Sequence, residues 1–338
     1  SSKLRGLLQL FQEVRLTDAI GQLIDVGDLY NQLLYIFAEE AGKKINNVLA
    51  PTEVVSLITK LIDGNRKNAC LCDPASGSGT LLIEVGKKMG IRGTDIYGQE
   101  VNWNLYALTK MNLMLNGFKG ATFLWGDSLR SPKLLDHGGL KKFDIVVSVP
   151  PFADKWASEE AYDDFYRRFK YGIPPKSQVT WAYISHILAS LRNDGQAVVV
   201  VPVGVLFRNT ESKIREQIIE YNLLEAVIEL PSNLFHGTAI STAILVFRKE
   251  RMRTQTLFVD ARKGYISNKG LYKLSDKVLE QLPNIYKKFL IGEEVGGEKN
   301  GCPVYVATQD EIRHNKYDLK VIKYVEDKIE SCLLYTSD

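Results

Sequence analysis

The stretch Asp73-Pro74-Ala75-Ser76-Gly77-Ser78-Gly79-Thr80 decides how this chain folds, because it joins a short apolar run, ACLCD at 69–73, to the helix-like segment LLIEVGKKM at 81–89. Gly77 and Gly79 stand where the backbone must turn sharply between strand and helix and come close to a ligand. A P-loop would end in Gly-Lys-Ser/Thr, and a dinucleotide fingerprint would need a third glycine where Leu82 stands. ATP and NAD readings therefore both lose ground.

Outward from this turn, residues 68–260 alternate short apolar runs with helix-length amphipathic segments. That alternation predicts an α/β fold with a mostly parallel sheet covered on both faces. The expected strands are 69–73, 95–100, 121–125, 143–149, 196–201, 224–230 and 241–247. Only PSNLFHGTAI separates the last two, too short for a crossover helix, so they should be antiparallel neighbours in a seven-stranded sheet. Leu7, Leu8, Leu10 and Phe11, then Leu29, Leu33, Leu34, Ile36 and Phe37, recur at helical spacing. The chain thus divides into an N-terminal helical region at 1–66, an α/β domain at 67–262, and a helical or irregular C-terminal extension at 263–338 packed on the core.

Carboxylates follow the glycine turn in order. Glu100 closes IYGQE, 21 positions after Gly79, where its oxygens can accept both hydroxyls of a ribose. Asp127 and Ser128 follow the third strand, and there a carboxylate can accept from an adenine amino group. Each acid alone reads equally well as a solvated loop carboxylate or helix cap; together they describe a nucleoside pocket at the carboxyl edge of the sheet.

The fourth strand, Phe143 to Val149, runs into Pro150-Pro151-Phe152. This end resembles the Asn/Asp/Ser-Pro-Pro-Tyr/Phe/Trp motif of amino-directed DNA methyltransferases. In that motif the polar side chain and the first proline's carbonyl accept hydrogen bonds from the target amine, and the aromatic ring stacks the extruded base. Here Val149 occupies the polar position and offers no acceptor, while Pro150 keeps its carbonyl and Phe152 its ring. Ser148 is adjacent, but strand alternation should aim it at the other face. Losing one acceptor aimed at a transition state costs roughly 10²–10³ in rate.

From about Gly27 to Val325 the chain resembles the modification (methyltransferase) subunit of type I restriction-modification systems. The resemblance is carried by GDLYNQLLYIFAEEAGKK, PTEVVSLI, GQEVNWNLYALTKMNLMLNG, TLFVDARKG and above all the long stretch from VVVPVGVLF to TAILVF. It implies a class I, Rossmann-like fold dependent on S-adenosylmethionine (SAM), with one antiparallel strand, acting on adenine in DNA. It also implies a specificity subunit, a second methyltransferase subunit and a nuclease subunit as partners. Cofactor contacts are expected from Pro51, Thr52, Asp73, Ala75, Ser76, Gly77, Gly79, Glu100, Asp127 and Ser128, target contacts from Val149, Pro150, Pro151 and Phe152, and no metal. Three departures coincide with function: Leu49-Ala50-Pro51-Thr52 keeps only the proline of the family's Tyr/Phe-Thr-Pro-Arg, Val203 replaces an aspartate, and Val149 an asparagine. The alternative they raise is an impaired homologue that serves as a scaffold for SAM, DNA or partner subunits.

Composition agrees with this reading without arguing for it. With 45% hydrophobic and 25% charged residues the chain is ordinary globular material, and a net charge of +3 permits nucleic-acid contact but does not demand it. No run of 18 apolar residues occurs and the N-terminus does not read as a signal peptide, so a cytoplasmic protein without membrane contact is expected. Cys70 and Cys72 share a strand face as small core residues, and His137, His186, His236 and His314 form no motif. Phe165-Tyr166-Arg167-Arg168-Phe169-Lys170-Tyr171 interleaves basic and aromatic residues and reads equally as a DNA-facing loop or a packing segment. Methylation of RNA or of protein glutamine shares the Pro-Pro-aromatic logic, but the type I-like stretches argue against it.

Overall fold

A computed structural model describes residues 27, 29–34, 50–64, 68–152, 154–235, 239–268, 271–295 and 302–325. In chain order the elements are α1 (Thr52–Leu61), β1 (Leu71–Asp73), α2 (Thr80–Met89), β2 (Ile96–Glu100), α3 (Trp103–Leu115) and β3 (Thr122–Trp125). A small hairpin follows, β4 (Leu135–Asp136) with β5 (Gly139–Leu140), then β6 (Phe143–Ser148), α4 (Val179–Ser190), β7 (Leu191–Pro202), α5 (Ser212–Glu220), β8 (Leu224–Glu229), β9 (Thr242–Arg248) and β10 (Thr256–Asp260). The hairpin β11 (Tyr265–Asn268) and β12 (Leu271–Leu274), α6 (Asp276–Ile291), β13 (Val304–Ala307), α7 (Gln309–His314) and α8 (Ile322–Val325) complete the described chain.

The central sheet runs β13-β10-β8-β9-β7-β6-β1-β2-β3. All seven strands expected from the sequence are present, and β9 is antiparallel to both β7 and β8. The turn after Glu229 leaves no room for a crossover, and Leu230 N–H donates to the Thr242 carbonyl (2.9 Å) where the two strands meet. Two further strands extend the sheet: β10 lies parallel to β8, and β13 antiparallel to β10. The C-terminal segment, expected to be only helical or irregular, therefore supplies an edge strand of the sheet itself. Its four residues, Val304 to Ala307, are too few for alternation to declare a strand. Of the N-terminal region, α1 and the helical residues 27 and 29–34 are described; Leu7, Leu8, Leu10, Phe11, Ile36 and Phe37 lie outside the described residues.

Period-two alternation sorts the strand side chains into two apolar layers. Ile145, Val147, Val198 and Val200 face α1, α2 and α6, while Val146, Val199, Val201 and Cys72 face α4, α5 and α7. Cys70 packs against the same layer as Cys72, as their spacing predicts. No helix among the described residues is long and apolar enough to cross a membrane.

One buried polar network ties the far end of the sheet to the helices above it. Glu225 on β8 accepts from Arg248 Nε on β9 (3.1 Å) and from the Tyr286 hydroxyl on α6, and lies 3.8 Å from Arg251 Nε. Gln196 Nε2 on β7 donates to the same Tyr286 oxygen (3.0 Å) and to the carbonyl of Leu61 at the end of α1 (3.0 Å). Removing the carboxylate leaves Arg251 with carbonyl acceptors alone and Arg248 with Asp63, 3.8 Å away, as its remaining charged partner. Glu225→Ala should therefore lower stability by about 3–5 kcal/mol, read as a drop in the urea midpoint, whereas a surface change such as Lys213→Ala should move it by less than about 0.5 kcal/mol.

Candidate functional site

The glycine turn is held from three directions. Gly77 and Gly79 have positive φ, +53° and +76°, a region that costs an L residue about 1 kcal/mol or more. From α3, Thr109 Oγ1 donates to the Gly77 carbonyl (2.6 Å) and Asn112 Nδ2 to the Ser78 carbonyl (3.1 Å). From the end of β2, Glu100 Oε2 accepts from Gly77 N–H (2.9 Å), and its other oxygen accepts from Asn102 N–H (2.8 Å). Ser128, after β3, donates its hydroxyl to the Pro74 carbonyl (2.6 Å).

These contacts frame a cavity of about 240 Å³ at the carboxyl ends of β1, β2 and β6, whose lining includes Asp73, Gly77, Glu100, Pro150, Phe152 and Tyr183. Ala75, Ser76, Val149 and Pro151 also line it. The strand-ending motif and the glycine turn, 70 residues apart in the chain, thus face one space. A second hollow of about 320 Å³, lined by Asp127, shares Val101, Pro151, Asp154 and Tyr183 with the first, so the two adjoin. Asp127 Oδ1 accepts from the backbone N–H of Leu129 (2.8 Å) and Arg130 (3.2 Å), so this acid also caps the turn it stands on.

Four residues expected at the cofactor lie outside both hollows. Gly79 and Ser128 shape the turn from behind, Pro51 is buried at the start of α1, and Thr52 lines a separate hollow with Asn31 and Ser56. Thr52 opens α1 and donates to Glu53 Oε2 (3.0 Å), which turns it from the cavity; its neighbour Ala50 lines the cavity instead.

Burial dominates the electrostatics. Asp73, wholly enclosed, accepts from Ala75 N–H (2.9 Å) and Ser148 Oγ (2.8 Å), yet desolvation pushes it up to about 7. Desolvation also raises Glu100, and the donors from Asn102, Gly77 and Val101 oppose it. Ser148 is fully buried and turned to Asp73, on the opposite strand face from Val149, as alternation requires. Phe152 packs edge-on against Phe235 with centroids 5.6 Å apart.

The basic-aromatic segment divides between its two readings. Arg168 is buried, pairs with Asp164 (2.7 Å) and donates Nη1 to the Ser128 carbonyl (3.0 Å), while Phe169 packs on Trp156 (5.0 Å). Phe165 is 79% exposed at the rim of the second hollow. His186, beside Arg168, is pushed down to about 3 by burial and stays neutral, a packing residue.

Sequence reasoning missed Asp154, Tyr183, Phe235 and Asn102. Asn102 caps α3 by accepting from Asn104 and Leu105 N–H, a signal visible as an asparagine opening an apolar helix. Phe235 arrives from the loop after β8, and nothing local to that loop announces it.

A Cβ on Gly79 would lie 2.3 Å from Thr109 Cγ2. Gly79→Ala should cost about 1–3 kcal/mol by thermal or urea unfolding. Adding Thr109→Ser, which keeps the hydroxyl and removes that methyl, should return part of the loss; no recovery would mean that φ alone sets the cost.

The family model described as N-6 DNA Methylase matches residues 23–331. The methylase subunit of the type I restriction enzyme MpnII of Mycoplasma pneumoniae is 32% identical over 98% of this chain and 62% of its own length. The MjaVIII methylase subunit of Methanocaldococcus jannaschii is 33% identical over 94% of this chain and 56% of its own. The chain thus spans about three fifths of the length of these relatives. Among solved structures, the methyltransferase subunit of a type I restriction-modification system from Streptococcus thermophilus superposes with a TM-score of 0.82 at 30% identity, covering 93% of this chain and 66% of that one. With the glycine turn, the carboxylates after β2 and β3 and the Pro-Pro-Phe strand end within one matched region, the chain belongs to the N-6 DNA methylase family.

Proposed function

We propose that this chain is the catalytic part of a type I modification subunit that methylates the 6-amino group of an adenine extruded from DNA, with SAM as methyl donor. The observation that carries the reading is the single cavity lined by both the glycine turn with Glu100 and the Val149-Pro150-Pro151-Phe152 strand end. A nucleoside cofactor and a planar target base must meet in one space for direct transfer, and this arrangement provides it.

The residues fit the cofactor. Glu100 is nine-tenths buried with both oxygens turned to backbone donors and room on each for a ribose hydroxyl, and Asp127 waits in the adjoining hollow for an adenine amine. Asp73, Ala75, Ser76 and Gly77 would border the methionine portion. Gly79 and Ser128 would act through the backbone of the turn they shape, while Pro51 and Thr52 stand outside the cavity at the start of α1. When bound, SAM supplies an electrophilic methyl on a sulfonium. Toward the base, the Pro150 carbonyl accepts one amine hydrogen and Phe152, backed by Phe235, stacks the ring.

DNA recognition in this reading belongs to a specificity subunit, with a second methyltransferase subunit and a nuclease subunit completing the assembly in the cytoplasm. The modest charge of +3 suits that delegation. The scaffold alternative has no support among the relatives, whose names are those of methylase subunits.

The test is incorporation of labelled methyl from SAM into N6-methyladenine, using the full-length protein assembled with its specificity subunit on unmethylated DNA. Incorporation is expected. An inactive wild type that gains activity as Val149→Asn would reject the reading in favour of a disabled site. A second expectation concerns pH. SAM carries net positive charge and should prefer the ionised Asp73, which takes up a proton below about 7. Cofactor affinity by calorimetry should therefore fall by up to about tenfold per unit below that pH, and Asp73→Asn should bind weakly with a flat profile.

A further inference from the structure

We propose that Asp154 supplies the second acceptor for the target amine, the one that Val149 does not provide. The inference rests on the adenine methyltransferase reading above. A primary amine in the ring plane presents two N–H groups, and the strand-ending motif here offers one acceptor, the Pro150 carbonyl. The Val149 side chain packs against the apolar layer of α1 and α2. Ser148 cannot replace it, because its hydroxyl is buried on the opposite face and donates to Asp73.

The cavity's other polar side chains are largely committed. Ser76 bonds the Gln99 carbonyl, Ser78 bonds Thr80, Asn102 caps α3, and Asp73 and Glu100 hold the backbone of the glycine turn and its neighbour. Asp154 and Tyr183 are the lining side chains that make no hydrogen bond with any described residue, and both stand where the two hollows meet. Tyr183 is 6% exposed, and its burial, together with the charges of Asp127, Glu100, Asp154 and Asp73, keeps its phenol protonated. A neutral phenol is a weaker acceptor for a developing cation than a carboxylate. Asp154 follows Phe152 by two residues on the same loop, and it is exposed, so a proton it receives has a way to water.

The amine nitrogen's lone pair forms the new N–C bond while the methyl's bond to the sulfonium breaks, and that electron pair stays on sulfur as a neutral thioether. The nitrogen becomes cationic and releases one proton to the Asp154 carboxylate and then to water. Asp154 both orients the amine and answers its charge as the methyl arrives.

The test uses the full-length protein in its complex. Asp154→Asn is close to isosteric and removes the anion; it should lower kcat roughly 10²-fold or more. In a Val149→Asn background, where an amide carbonyl takes over, the same change should cost less than about tenfold. The binding readout compares sinefungin, which carries a protonated amine in place of the transferred methyl, with S-adenosylhomocysteine, which carries nothing there. By calorimetry, Asp154→Asn should weaken sinefungin about tenfold and leave S-adenosylhomocysteine unchanged. A loss of kcat equal in both backgrounds, a kcat within about threefold of wild type, or an unaltered preference for sinefungin would overturn the proposal. If the wild type transfers no methyl at all, the proposed function fails, while the sinefungin comparison still reports whether Asp154 faces the transfer point.

Discussion

The hydrogen bond from Gly77 N–H to Glu100 Oε2 is the contact on which the site depends. It fastens the turn after β1 to the end of β2, and the same carboxylate holds Asn102 N–H at the start of α3. From there α3 runs back along the turn and places Thr109 and Asn112 against the carbonyls of Gly77 and Ser78. The donors and acceptors that a tight glycine turn leaves open are thus met by one strand end and one helix. Burying Glu100 costs desolvation, which backbone donors offset, and the outcome is a rigid carboxylate at the edge of a cavity.

The opposite wall is built from strand alternation. On β6, Ile145 and Val147 go to one apolar layer and Val146 to the other; Val149 packs on the first, and Ser148, on the alternate face, is fully buried with its hydroxyl donated to Asp73. That parity keeps Ser148 from the cavity that Val149 lines, and the loop beyond Phe152 adds the carboxylate of Asp154 to the same wall. The loop is itself anchored: Arg168 reaches across to the Ser128 carbonyl, next to Asp127. The turn after β3 and the loop after β6 are therefore tied to one another.

Much of the fold was legible because its signals are local. Each of the seven expected strands is a short apolar run bounded by turn residues, and the antiparallel pair follows from a connection too short to cross over. β13 was hidden because its four residues, VYVA, sit at the sheet edge where burial is partial and pattern weak. Among site residues, Asp73, Gly77, Glu100 and Phe152 were visible as motif positions after strands. Thr52 lines a separate hollow, because proximity in sequence does not reveal which side of a helix start a residue faces.

By itself the sequence determined seven of the nine strands of the sheet, the glycine turn, the acids at the strand ends and the absence of an acceptor on the Val149 side chain, since each depends on residue type and spacing along the chain. Only the tertiary structure decided that the glycine turn and the Pro-Pro-Phe end share one cavity, that Phe235 backs Phe152, and that Asp154 and Tyr183 stand where the two hollows meet. The reason is physical: those neighbours come from segments tens of residues apart, and which of them converge is set by sheet order and by the face each side chain takes, neither of which is written in any single stretch of sequence.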